Sequence, residues 1–115
     1  MKILIVDDHE GFRQQARALL EAEGMVVVGE AGTGAEALAA AAELHPELVL
    51  LDVQLPDLDG FEVARRLQSV NGGIDVVLIS SRERSDYGRL IVESPARGFV
   101  AKSELSRGAI ADLLA

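Results

Sequence analysis

LVLLDVQLPDLDG, Leu48 to Gly60, is the stretch on which the reading of this chain turns. Leu48, Val49, Leu50 and Leu51 form a continuous apolar run, the pattern of a strand buried on both faces. The run ends in a carboxylate, Asp52, and the chain then turns through Pro56 to Gly60. An acid in that place is either a strand terminus facing water or a chemical group on display.

Outward from this stretch, short β-type runs alternate with helical patterns. KILIV (Lys2–Val6) predicts a buried strand, MVVVGE (Met25–Glu30) a second, DVVLIS (Asp75–Ser80) a fourth and GFVA (Gly98–Ala101) a short fifth. Between the first two, His9 to Glu23 predicts a helix with Phe12, Ala16, Leu19 and Leu20 on one face and Gly24 as its stop. TGAE has the spacing of a capping box, with Thr33 as N-cap and Glu36 three residues on. It opens an Ala-rich helix to Leu44, and Pro46 forbids continuation. DGFE repeats the logic with Asp59 and Glu62, starting a helix that turns Phe61, Ala64 and Leu67 inward until Gly72 and Gly73 break it. A ragged helix follows at about Ser85–Glu93, and a last one carries Leu105, Ala109, Ile110, Leu113 and Leu114 behind a Ser106 cap. Five strands alternating with five helices imply an α/β fold, a three-layer, doubly wound, five-stranded parallel sheet covered on both sides. In such sheets the functional crevice lies outside the carboxyl ends of the strands.

Composition narrows the function. The 115 residues suit one compact domain, residues 1–115. With no cysteine, disulfides, thiolate metal sites and a cysteine nucleophile are excluded. No apolar run approaches the roughly 18 residues of a spanning helix, and the opening run ILIV is too short for a signal peptide. A cytoplasmic location away from membranes is the default expectation. The formal net charge of -8 argues against direct nucleic-acid binding by this domain, because such affinity comes mainly from clustered Lys and Arg.

The strand ends carry the chemistry. Strand one ends in Asp7 and Asp8, strand three in Asp52, strand four in Ser80 and Ser81, and strand five in Lys102. If those ends share one edge of the sheet, three carboxylates, a hydroxyl and an ammonium converge. Clustered carboxylates repel, and one would ordinarily hold a proton. A divalent cation removes the conflict, and hard oxygen ligands without sulfur favour Mg²⁺. A cation there also suits a phosphoryl group approaching Asp52, with Lys102 holding a second oxygen and Ser80 donating to a third. Each residue has a plainer reading on its own: Asp8 as a cap for the following helix, Ser80 and Lys102 as ordinary polar strand ends. His9 and His45 lack zinc spacing and read as a helix-start and a loop residue.

With these residues in view, the whole chain resembles the receiver domain of two-component response regulators. The likeness is carried by LIVDDH, LVLLDVQLPDLDGFEVARRL, VVLISS and GFVAKSELS. AKSELS is similar to the subgroup usually joined to a helix-turn-helix output domain. The resemblance implies a flavodoxin-like sheet of order 2-1-3-4-5. It implies Asp52 as phosphoacceptor, and a Mg²⁺ site of Asp7, Asp8, Asp52 and the backbone carbonyl of Gln54. It implies Lys102 as the phosphoryl partner, Ser80 as switch hydroxyl and Phe99 as aromatic switch. The implied partners are a histidine kinase, an output domain or effector that reads the changed surface, and a homodimer dependent on phosphorylation. On this reading the chain is a phosphoacceptor that assists its own phosphorylation and dephosphorylation, not an enzyme. It stands alone or is joined to an output domain beyond IADLLA, with transcriptional control implied in the second case.

Some positions depart from the family pattern. Ser103 follows Lys102 where proline is usual, leaving a trans loop or a retained cis strain as alternatives. Arg82 and Gln54 occupy positions that tune hydrolysis in the family, and Pro95 stands where Gly or Ala is frequent, so the fourth helix is expected to be short or mobile. The competing readings fit less well. A pseudo-receiver used only for contacts would typically lack one of Asp7, Asp8, Asp52, Ser80 and Lys102. An aspartyl phosphatase wants an acid where Gln54 stands. A flavin-binding relative needs a glycine- and hydroxyl-rich loop in place of the acidic DDHEG.

Overall fold

The computed structural model of the chain describes residues 1–70 and 73–115. Five strands, β1 (Lys2–Val6), β2 (Val26–Ala31), β3 (Leu48–Asp52), β4 (Asp75–Ser80) and β5 (Gly98–Ala101), form one sheet in the order β2-β1-β3-β4-β5. All four pairings are parallel. The helices are α1 (Glu10–Ala22), α2 (Gly34–Leu44), α3 (Gly60–Val70), α4 (Arg89–Glu93) and α5 (Arg107–Leu114). This is the expected doubly wound, three-layer architecture.

Strand alternation divides the core in two. Leu4, Val6, Val49, Leu51, Val76 and Leu78 point to one face, against Ala37 and Ala41 of α2 and Val63, Ala64 and Leu67 of α3. Ile3, Ile5, Leu48, Leu50, Val77 and Ile79 point to the other, against Ala16 and Leu20 of α1 and Ile110 of α5. Fully burying each such aliphatic side chain stabilises by about 1.5–3 kcal/mol. That is why the central strands read as unbroken apolar runs.

The caps act largely as the sequence predicts. Thr33 Oγ1 accepts from Glu36 N at 3.1 Å, Ser106 Oγ from Ala109 N at 3.0 Å, and an Asp59 carboxylate oxygen from Glu62 N at 2.8 Å. The reciprocal halves of the boxes go elsewhere. Glu36 accepts from Gly32 N, and Glu62 pairs with Arg65 and Arg66. Gly24 ends α1 at φ +87°, a conformation costly for any residue with a Cβ.

Several expectations need correction. Leu19 is 38% exposed, because α1 turns the Ala16–Leu20 line inward and Leu19 falls beside it. β2 is shifted by one residue, with Met25 left outside it. The ragged fourth helix is a 3-10 turn at Arg84–Asp86 followed by the five-residue α4, divided at Gly88 with φ +52°. Gly73 lies in a turn, whereas Gly72 falls outside the described residues.

Register places the site. Val6 pairs with Leu51, Asp52 with Ile79, and Ser80 with Ala101. The next residue along β1, β4 or β5 therefore emerges at one edge, the carboxyl edge of the sheet.

Candidate functional site

Asp7, Asp52 and Ser80 are the buried polar residues at that edge, and Lys102, just after β5, reaches the two acids. Asp7 is fully buried and Asp52 is 4% exposed, whereas Asp8 faces solvent. The Lys102 ammonium lies 2.5 Å from Asp7 Oδ2 and 3.3 Å from Asp52 Oδ2. It also sits 4.7 Å from the centre of the Phe12 ring. The other Asp52 oxygen, Oδ1, accepts from Gln54 N at 3.0 Å, so Oδ2 is the one left facing the ammonium. All peptide bonds among the described residues are trans, including Lys102–Ser103, which opens a 3-10 turn at Lys102–Glu104.

Charge in this pocket is strained. Burial pushes the Asp52 carboxyl up; the Gln54 N–H and the Lys102 charge oppose that, and the Asp7 charge adds to it. For Lys102, burial works against the charge, but contact with Asp7 and Asp52 outweighs it and holds the ammonium above its ordinary value. Asp7 Oδ1 accepts from His9 N at 2.8 Å. Asp7 Oδ2 meets the ammonium charge but accepts no hydrogen bond of proper angle, a buried acceptor left short of a donor.

Asp7, Asp8, His9 and Asp52 each offer a ligand atom, all within 4.8 Å of one another. Three carboxylates with one under-satisfied buried oxygen fit a hard divalent cation. The His9 ring joins this group, with Nδ1 3.0 Å from Asp8 Oδ1, beyond its expected place at the start of α1. Gln54 stands beside Asp52 in the β3–α3 loop and bridges to Asp59.

Ser80 is 2% exposed, and its hydroxyl is engaged twice. It meets Tyr87 Oη at 2.7 Å and accepts from Arg82 N at 3.0 Å. Tyr87 in turn stacks edge-on against Phe61 at 5.9 Å and tilts against Phe99 at 5.8 Å. Phe99 is half-buried and packs beside the Tyr87 ring. Sequence reasoning passed over Tyr87, because it lies in a segment without clear periodicity; the only signal was its place among four aromatic residues in the chain.

Arg13 was also missed. Its Nη1 donates to the Asp7 backbone oxygen at 2.6 Å, and its Nε to Glu30 at 3.0 Å; Arg17 Nε donates to the same carboxylate at 2.8 Å. The network ties the end of β1, from which Asp7 and Asp8 project, to α1 and β2. The Arg17 hydrogen bond, with Arg13 adding to it, holds the Glu30 carboxyl below its ordinary 4.5 despite partial burial. A depressed acid stabilises the fold above its unfolded pKa, and the contribution fades as pH falls through the folded value. Glu30→Gln is expected to cost about 1 kcal/mol at pH 7, discounted for partial exposure. Urea midpoints of the two proteins should converge as pH falls from about 5 to 3; a constant gap would contradict the ion-pair account.

Asp57, in the β3–α3 loop, closes another link. Its carboxylate accepts from Gly34 N at 2.7 Å and Ala35 N at 3.0 Å. Those two N–H groups, Ala35 first, hold its carboxyl below the ordinary range. The loop after the candidate phosphoacceptor is thereby anchored to the start of α2.

A buried acid flanked by two others and a lysine, at the carboxyl edge of a 2-1-3-4-5 sheet, defines a receiver-type site. Residues 3–114 match the response regulator receiver domain, and the chain belongs to that family. It is 43% identical over 103 residues to BvgA of Bordetella pertussis, named for positive transcription regulation of virulence factors, covering 90% of this chain and 49% of that protein. It is 36% identical over 103 residues to the response regulator GacA of Pseudomonas aeruginosa, covering 89% and 48%. The chain thus spans about half the length of the curated relatives it matches. A two-component response regulator of the LuxR family from Aurantimonas sp. SI85-9A1 superposes with a TM-score of 0.87 at 30% identity, covering 98% of this chain and 84% of that one. The membership implies a part in two-component signalling. Among the described residues no helix is long and apolar enough to cross a membrane.

Proposed function

We propose that this domain accepts a phosphoryl group on Asp52 and uses it to change the surface around α4, β5 and α5. The observation that carries this reading is the meeting of Asp7, Asp52 and Lys102 in one buried pocket, although they lie far apart in sequence. Asp52 Oδ2, free of backbone donors, attacks the phosphorus of a phosphohistidine or a small phosphodonor. The new O–P bond forms as the bond to the donor's leaving group breaks, giving an acyl phosphate. Lys102 holds an oxygen of the transferring group, and Gln54 N steadies the other carboxylate oxygen. Asp7, Asp8, Asp52 and the Gln54 backbone carbonyl would hold Mg²⁺, which when bound neutralises phosphoryl charge. Hydrolysis reverses the modification when water attacks the same phosphorus. The domain acts as a substrate that assists its own turnover, not as an enzyme on a separate molecule.

The domain would work in the cytoplasm, with a histidine kinase as its phosphodonor. Since BvgA and GacA carry names of regulators about twice as long, a transcriptional output joined to this domain is the expected reader, with dimerisation on phosphorylation as a further route. The -8 charge keeps the receiver itself off nucleic acid.

Incubation with acetyl phosphate and Mg²⁺, read by intact mass, tests the proposal. One phosphoryl adduct is expected, and none in Asp52→Asn. An adduct that survives in Asp52→Asn, or its absence in the native chain even with a cognate kinase, would reject it; the latter outcome would leave a pseudo-receiver.

A further inference from the structure

Ser80 is positioned by Tyr87. We infer that the Tyr87 hydroxyl is a latch that holds the Ser80 hydroxyl in the resting state, and that its release frees the 3-10 turn and α4. For its trigger this rests on the phosphoacceptor reading above; the latch itself stands on geometry.

The Ser80 oxygen has one proton and two lone pairs. Arg82 N–H takes one lone pair, and Tyr87 takes either the second lone pair or the proton. In the latch the Ser80 proton goes to Tyr87 Oη, and a hydroxyl so engaged and almost fully buried donates to a new acceptor only by breaking that bond. A phosphoryl oxygen on Asp52 is such an acceptor, charged and therefore stronger than a phenol. Once Ser80 turns to it, the Tyr87 hydroxyl is left short of its partner.

The segment behind Tyr87 is built to move. Gly88 follows at φ +52°, and α4 has five residues, of which Ile91 alone is buried. Leu90 is 53% exposed and Val92 76%, so little apolar burial holds the helix down. The Tyr87 ring, packed against Phe61 and Phe99, is a further attachment beside Ile91. Withdrawing the ring opens the space beside Phe99. The aromatic residue that reads Ser80 directly is thus Tyr87, and Phe99 responds second.

Native-state amide exchange of the full chain tests the latch, read at Tyr87, Gly88, Leu90 and Ser94, whose N–H groups bond within the segment. In unphosphorylated protein, Tyr87→Phe is expected to raise their exchange about fivefold, the worth of one net hydrogen bond. Ser80→Ala should raise it at least as much, and adding Tyr87→Phe to Ser80→Ala should change nothing further. Independent, multiplying effects would overturn the latch, as would unchanged exchange in Tyr87→Phe. Phosphorylation, verified by mass, should raise the same exchange in the native chain but not in Tyr87→Phe. A phosphorylated native chain with unchanged exchange would overturn the trigger. If no adduct forms, the phosphoacceptor reading fails, and the unphosphorylated cycle still decides the latch.

Discussion

Lys102→Ala is expected to lower the stability of the domain by about 3 kcal/mol, seen as a fall in the urea midpoint at unchanged slope. Lys102 is the cation between Asp7 and Asp52, and both carboxylates are buried. Deleting one partner of a buried ion pair leaves the other uncompensated, which costs far more than the net worth of the pair. Here two acids would be left. The excess is electrostatic, so it should be reversible by a second deletion: Lys102→Ala/Asp52→Asn should recover most of the loss. If the double variant were no more stable than Lys102→Ala, the cost would come instead from losing the contact of the ammonium with the Phe12 ring. The comparison must be made without divalent cation, which would fill the same electrostatic role.

Gly60→Val should cost a further order of 3 kcal/mol or more, for a reason that has nothing to do with charge. Gly60 is buried at the start of α3, and its N–H donates to Val53 O at 2.7 Å. A Cβ at Gly60 would stand 2.7 Å from Val53 Cα and closer still to the Asp52 carbonyl oxygen. Both obstacles are backbone atoms, at the end of β3 and just after it, at and next to the candidate phosphoacceptor, so neither can swing aside. Relief would require displacing Asp52, and uptake of the phosphoryl group should fall along with the urea midpoint. Gly11→Ala makes the control. Nothing lies within 4 Å of a Cβ there, and an alanine in α1 should stabilise by roughly 0.5 kcal/mol. Equal stability of Gly60→Val and the native protein would show that the close approach is not rigid.

The Gly60 contact separates what is local in the sequence from what is not. Asp59 and Glu62 announced a helix start, and Leu48–Leu51 announced a strand, so the turn between them was legible. The contact of Gly60 with the backbone of Asp52 was not, because local spacing carries no information on how closely two backbones approach. The same division runs through the site. Asp7, Asp8, Asp52, Ser80 and Lys102 each follow an apolar run, and that placement was visible. Tyr87 and Arg13 were not singled out: one sits in a broken helix, the other on the flank of a regular one, and neither position has a pattern that sets it apart.

Apolar runs, their alternation with amphipathic helices and the capping residues were enough to specify five parallel strands and the acids, hydroxyl and ammonium at their ends. These are local properties, set by side-chain burial and backbone propensity over a few residues. That Lys102 lies between Asp7 and Asp52, that Asp7 keeps one oxygen short of a donor, and that Ser80 is held by Tyr87 came only with the folded chain. Each depends on distances between residues remote in sequence, and strand register and side-chain packing decide those distances.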